Sequence, residues 1–283
     1  MTRTLLSLGH GFSARAIARD LMATSDWSIT GTTRSADKAR AIAATGVTPL
    51  ITTDADLRAA VHSATHLLVS AGPSADGDAF LPLLADAIRG ANLQWIGYLS
   101  TTGVYGDHGG AWVDEDTPCT PSNPRGKWRL AAETEWLALG AHVFRLAGIY
   151  GPGRGPFSKV RNGTARRIIK PGQMFGRIHV DDIAQAVTAS IAHPNPGRIY
   201  NVADNDPAPP QDVLGYAAEL LGVPLPPAED FETAEMTPMA RSFYLENRRV
   251  RNDRLRDELG VTLKYPDYKS GLRALLAAEA TGE

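Results

Sequence analysis

Apolar residues in this chain come in short runs that alternate with stretches where they recur every three or four positions, and that alternation predicts its elements. Arg3 to Leu8 is a run that stops at Gly9, and a second glycine follows at Gly11. Beyond Ala14 the apolar positions Ile17 and Leu21 fall on one helical face, so the opening reads as strand, tight turn, helix. Trp27 to Thr33 reads as a second strand, Ser35 to Thr45 as an alanine-rich helix, and Val47 to Ile51 as a third strand. A helix over Asp56 to Ser63, a strand over His66 to Ser70, a helix over Phe80 to Ala91 and a fifth strand from Trp95 continue the series. Ala141 to Ala147 is a sixth strand, and the helix Asp182 to Ala192 precedes a last strand at Arg198 to Val202. Strands separated by helices of about ten residues require parallel pairing with right-handed crossovers. The fold class expected is therefore α/β, a doubly wound parallel sheet of Rossmann type.

Past Tyr150 the rhythm breaks in a loop of glycine and proline ending at Pro156. Gln211 to Leu221 reads as a helix stopped by Gly222, and Val223 to Pro238, rich in proline and acid, as an exposed loop. Phe243 to Leu259 and Tyr268 to Glu279 read as helices. The expected division is a dinucleotide-binding domain over residues 1–148, to which 178–203 returns, and a smaller C-terminal substrate-side lobe over most of 149–283.

Composition narrows the partners. The chain has 283 residues, 43% of them hydrophobic and 21% charged, which is the make-up of a globular protein with a large core. A formal net charge of −2 and a pI near 6.4 give no electrostatic reason to expect nucleic acid or an anionic membrane. No apolar stretch approaches a membrane span, and Gly9-His10-Gly11 interrupts the first run before it reaches the length of a signal-peptide core. The single cysteine, Cys119, leaves no intramolecular disulfide and fits a reducing compartment. A cytoplasmic location is the expectation.

The glycine turn carries the first chemistry. A pyrophosphate must come close to backbone N–H groups at a helix N-terminus. Gly9 permits the sharp turn, Gly11 leaves the approach open, and Ala14 lets helix and strand pack closely, with Phe12 and Ser13 supplying the first helical N–H groups. An acid about 20 residues beyond the turn would hold the ribose 2′-hydroxyl of NAD. None stands there. Arg34, with Ser35 beside it, suits a 2′-phosphate instead, because guanidinium and phosphate pair through two hydrogen bonds. The expected cofactor is NADP, with NAD left open. Asp54 follows the third strand, where it can meet an adenine amino group or cap the next helix. Ala71 and Gly72 form a small-residue turn under which a cofactor ribose can pass, and Thr101 and Thr102 end the fifth strand where hydroxyls can hold a substrate.

These pieces occur together with Ser100-Thr-Thr-Gly-Val-Tyr-Gly106, Asp114-Glu-Asp-Thr-Pro118, Phe144-Arg-Leu-Ala-Gly-Ile-Tyr-Gly-Pro-Gly153, Ile178-His-Val-Asp-Asp-Ile-Ala184 and Arg198-Ile-Tyr-Asn-Val202. In that order the chain resembles the extended short-chain dehydrogenase/reductase family, which contains the nucleotide-sugar epimerases and dehydratases, over most of its length. The resemblance implies a catalytic hydroxyl at Thr101 and a dimer through two helices per subunit; Trp128 and Trp136 on one of these are compatible with it and equally with a place in the core. It also implies a Tyr-x-x-x-Lys pair, whose tyrosine exchanges a proton with substrate and whose lysine holds the nicotinamide ribose. Here Arg125 and Arg129 stand at those positions. Arg129 can still donate to ribose hydroxyls. Arg125 cannot relay a proton, since guanidinium stays protonated, but it can clamp an anionic substrate. The chain thus looks like the atypical branch of the family. Tyr105 and Tyr150 are the candidates for a substitute acid, Tyr105 the one assigned and Tyr150 also a substrate contact, against the alternative that the tyrosines of V-Y-G and I-Y-G are positional. His179 and Asp181 lack a third metal ligand at suitable spacing, so no metal is expected. Two functions follow: an NADP(H)-linked reductase, epimerase or dehydratase on a small polar or anionic substrate, or a catalytically silent NADP-binding sensor.

Overall fold

The computed structural model describes residues 3–24 and 26–281. In chain order the first half runs β1 (Arg3–Leu8), α1 (Phe12–Thr24), β2 (Trp27–Thr33), α2 (Ala36–Ala43), β3 (Thr48–Ile51), α3 (Asp54–Ser63), β4 (His66–Val69), α4 (Leu81–Gly90), β5 (Trp95–Thr101), β6 (Trp112–Val113), α5 (Pro124–Ala138) and β7 (His142–Leu146). It continues with β8 (Gly148–Tyr150), α6 (Phe157–Arg161), β9 (Arg167–Ile169), β10 (Arg177–His179), α7 (Val180–Ala192), β11 (Ile199–Val202), α8 (Pro210–Leu221) and β12 (Ala228–Asp230). The chain closes with α9 (Pro238–Ser242), β13 (Arg249–Val250), α10 (Asp253–Leu259) and α11 (Tyr268–Thr281).

Seven strands pair in parallel in the order β11-β7-β5-β4-β1-β2-β3. This is the doubly wound Rossmann arrangement. The order reverses between β1 and β4, and a crevice opens beyond the carboxyl ends of strands at such a switch point. The strands are apolar on both faces because helices cover both. Ile17, Leu21, Ile183, Val187 and Leu255 cover one face, and Leu57, Val61, Leu84, Ile88 and Trp136 the other. Trp95 folds back over Gly97, where an added Cβ would lie 2.0 Å from its ring, and its indole N–H donates to Ser190 Oγ at 3.1 Å. A buried ion pair fastens α5 to this sheet: Arg145 Nη2 lies 2.8 Å from Glu133 Oε2, with side chains 5% and 1% exposed.

Two segments differ from the sequence-based reading. The helix expected over Phe243–Leu259 is confined to Asp253–Leu259. Phe243 and Leu245 are 60% and 61% exposed, so no apolar face holds a helix there. Instead Asn247 is spent on neighbouring loops and β13 pairs with β6. The loop expected over Val223–Pro238 contains β12, which pairs with β9, and it buries Phe231 between the cations of Lys170 and Arg241. Trp136 is core: it is fully buried, stacks on Tyr98 and donates to Asp78 Oδ2 at 3.0 Å. Among the described residues no helix is long and apolar enough to cross a membrane.

Candidate active site

At the carboxyl end of β1, Gly9 takes φ +78°, a left-handed conformation that favours glycine. Its N–H donates to Thr32 Oγ1 at 2.8 Å, while the next N–H, of His10, donates to the Thr32 carbonyl at 3.3 Å. An added Cβ on Gly9 would lie 2.9 Å from the Ala71 Cβ, so the turns after β1 and β4 touch across the switch point. Gly11 is open, with nothing nearer to an added Cβ than the Gly9 carbonyl at 3.8 Å. The first helical bond of α1 runs from Arg15 N to the Gly11 carbonyl, which leaves the N–H groups of Phe12, Ser13 and Ala14 without intrahelical partners. No acidic side chain occupies that first turn. Bare glycines, unpaired N–H groups and the positive end of a helix fit a pyrophosphate.

His10 packs beneath this turn. Its Nδ1 lies 3.0 Å from Ser7 Oγ, and its ring covers Gly31, where an added Cβ would come within 2.7 Å of it. Burial, helped by the nearby charge of Arg15, lowers its pKa to about 4.

Arg34 extends from the end of β2 and is exposed. Among the described residues it makes no side-chain hydrogen bond or ion pair. Ser35 Oγ caps α2, accepting from Lys38 N at 3.2 Å. Asp54 lies exposed in the first turn of α3, and it is not the cap: Thr53 Oγ1 accepts from Asp56 N at 3.3 Å.

Arg129 reaches across the end of β5. Its Nη1 donates to the Leu99 carbonyl at 2.8 Å and to the Tyr98 hydroxyl at 3.2 Å, and its Nη2 lies 2.8 Å from where a Cβ on Gly72 would stand. The sequence separates Arg129 from Gly72 widely, and the fold brings them together. Thr101 is half-buried, its Oγ1 accepting from Gly103 N at 3.1 Å, and Thr102 is buried just beyond it. Arg125 turns outward: it is exposed, with Nη1 3.6 Å from Met239 Sδ of α9.

Two of the expected polar contacts lie outside the crevice. Tyr105 is fully buried, its hydroxyl donating to Asn201 Oδ1 at 2.8 Å and accepting from Arg145 Nη1 at 3.0 Å. Burial outweighs the Arg145 charge and pushes its pKa up to about 12. A phenol so enclosed has no path to a substrate, which corrects its assignment as the substitute acid. Tyr150 also departs from expectation as a substrate contact. It is 6% exposed, its ring meets His179 edge-on at 5.2 Å, and its hydroxyl presses on α11 where Gly271 leaves room. Burial raises its pKa. Tyr150 belongs to a third apolar cluster with Phe157, Val160, Val213, Tyr268 and Leu272. His179, weighed with Asp181 as a metal pair, caps α7 by accepting from Asp181 N at 3.2 Å.

Sequence reasoning missed Glu246, Asn247 and Arg248. Arg248 Nη1 donates to the Gly106 carbonyl at 2.7 Å and to Glu246 Oε2 at 3.0 Å, while Glu246 Oε1 accepts from Ser122 Oγ and Asn123 Nδ2, each at 2.8 Å. The only signal was the basic run from Arg248 to Arg251, which carries no hint of where it packs. A shallow hollow of about 540 Å³ on the outer face of α5, lined by Lys127, Leu130 and Thr134, lies away from the glycine turn and does not enter the site.

The family model described as the NAD dependent epimerase/dehydratase family matches residues 8–203. A conserved protein of unknown function from Silicibacter pomeroyi has a structure that superposes with a TM-score of 0.92 at 57% identity, over 98% of this chain and 99% of that one. A candidate NAD-dependent epimerase/dehydratase from Methylobacillus flagellatus is 32% identical with a TM-score of 0.77, over 99% of both chains. A 3-diazoavenalumate denitrifying reductase from a Streptomyces species is 28% identical over 67% of this chain and 67% of its own length.

Proposed function

We propose, since this chain belongs to the NAD dependent epimerase/dehydratase family, that it is an NADP(H)-dependent reductase of a small polar substrate. The observation that carries the cofactor choice is Arg34, exposed and free of ion pairs among the described residues at the end of β2, where NAD binders need an acid. Its guanidinium pairs with a 2′-phosphate. The N–H groups of Phe12, Ser13 and Ala14 take the pyrophosphate, Asp54 accepts from the adenine amino group, and Arg129 donates to ribose hydroxyls beside Gly72. Bound there, the reduced dinucleotide supplies hydride.

Reduction is favoured over epimerisation by a chemical asymmetry. Epimerisation begins with oxidation of an alcohol, which needs a base to take its proton, and neither Arg125 nor the enclosed Tyr105 can serve. Reduction needs hydride at the carbonyl carbon and a group to steady the alkoxide that forms, which then takes its proton from water, with Thr101 orienting the substrate oxygen. The reductase name of the Streptomyces relative supports the same direction. A silent NADP-binding sensor is the second reading, favoured by Arg125, which faces Met239 rather than the crevice.

Calorimetric titration tests the cofactor: NADP+ binds more tightly than NAD+, and R34A lowers NADP+ affinity about 10- to 100-fold with little effect on NAD+. Tighter binding of NAD+ overturns the preference. A turnover screen of carbonyl compounds that follows NADPH absorbance separates reductase from sensor.

A further inference from the structure

Arg248 stands at the crevice with its hydrogen bonds made through one nitrogen and Nη2 left over. Its Nη1 is used twice, on the Gly106 carbonyl at 2.7 Å and Glu246 Oε2 at 3.0 Å. Its Nη2 makes no hydrogen bond among the described residues and lies 3.9 Å from the point where a Cβ on Gly103 would stand. Thr101 Oγ1 lies 3.3 Å from that same point. Because the Thr101 oxygen accepts from Gly103 N at 3.1 Å, its own O–H remains to donate elsewhere. Two free donors therefore converge beside Gly103, at the carboxyl end of β5.

The arginine is held in place. Asn247 N donates to Asp107 Oδ1 at 2.8 Å, and the Asn247 carbonyl accepts from His108 N at 3.0 Å and Gly110 N at 2.9 Å. The Asn247 side chain bonds Met174 N at 3.0 Å and the Gly172 carbonyl at 2.9 Å. Arg248 is delivered to the crevice by a strap tied to loops on both sides, which is the preorganisation that a charge-stabilising group needs.

We infer that Arg248 Nη2 and the Thr101 hydroxyl together hold one carbonyl-type oxygen of the substrate, performing the charge-steadying duty that Arg125 is turned away from. The inference rests on the reductase reading and adds the residue and the substrate class. Charge defines that class. Glu246 is paired with Arg248 at 3.0 Å, so the two together are near neutral and a doubly charged phosphate meets a carboxylate. A ketone or aldehyde oxygen, or one oxygen of a singly charged carboxylate, is matched. Guanidinium keeps its proton, so the pair binds the oxygen and steadies charge on it without transferring a proton.

Benzoate, a planar monoanion, is the probe, titrated calorimetrically into protein saturated with NADP+. R248A lowers benzoate affinity about 10- to 100-fold while NADP+ affinity stays within about two-fold of the wild type. R248K, which keeps the charge on a shorter reach, also weakens benzoate. Added guanidinium chloride restores part of the R248A loss, an effect that a purely structural arginine does not produce. E246Q, which removes the balancing charge, tightens benzoate binding. The inference is overturned if R248A binds benzoate as the wild type does, if the NADP+-saturated wild type binds none, if R248A loses NADP+ as well, or if phenyl phosphate binds more tightly than benzoate. Failure of the wild type to bind NADP+ is a separate result, which removes the reductase reading and this inference with it.

Discussion

His10 shows how one side chain couples the phosphate turn to acidity. Its ring fills the space over Gly31, and Nε2 is buried without a partner, so only the neutral form is accommodated. Its pKa in the folded protein, about 4, lies below the ordinary 6.5, and burial is the main cause. A depressed value means that the fold binds fewer protons than the unfolded chain in the window between them. Stability from neutral His10 is therefore fully present above pH 6.5 and lost as pH falls toward 4. The expected outcome is a Tm that drops across this window and drops less in H10N, followed by circular dichroism without cofactor. An equal drop in both proteins removes His10 as a cause.

At the scale of elements, α5 carries the two arginines that set this chain apart, and its placement depends on Glu133. Asn123 caps the helix, its Oδ1 accepting from Gly126 N at 2.8 Å, and Pro124 opens the first turn, where no N–H is needed. Further along, Glu133 receives two hydrogen bonds from the Arg145 Nε and one from its Nη2, between 2.8 and 3.3 Å, and a further one from Ser100 Oγ. Breaking a buried pair from one side strands a charge and costs about 3–5 kcal/mol. E133A should lose about that much stability in urea denaturation, and the double variant E133A/R145M should recover much of it, because it leaves no unpaired charge. If the double variant is no better than the single one, the ion pair is not what fastens α5 to β7.

At the scale of the whole molecule, the glycine turn, the Ala71–Gly72 turn, Arg129 and the Glu246–Arg248 strap come from distant parts of the chain and meet at one edge of the sheet. A ligand that bridges them stabilises the folded state alone. NADP+ at about 100 times its Kd should add about 2.7 kcal/mol to unfolding free energy, and NAD+ at the same concentration less. Equal shifts would place the selectivity somewhere other than Arg34. By itself the sequence determined the parallel sheet and the strand–turn–helix that opens it. Alternation of apolar runs, glycine at a left-handed turn and small residues at a close approach act over a few neighbouring positions and leave their mark in order. Only the tertiary structure decided which polar groups face the crevice. Tyr105 and Tyr150 sit near strand ends where the sequence left a reactive and a positional role both open, and packing encloses both, while Arg248, in a run with no pattern of its own, is carried to Thr101 by bonds between loops more than a hundred residues apart in the chain. Burial and charge placement are sums over contacts from many segments, and no local stretch of sequence contains that sum.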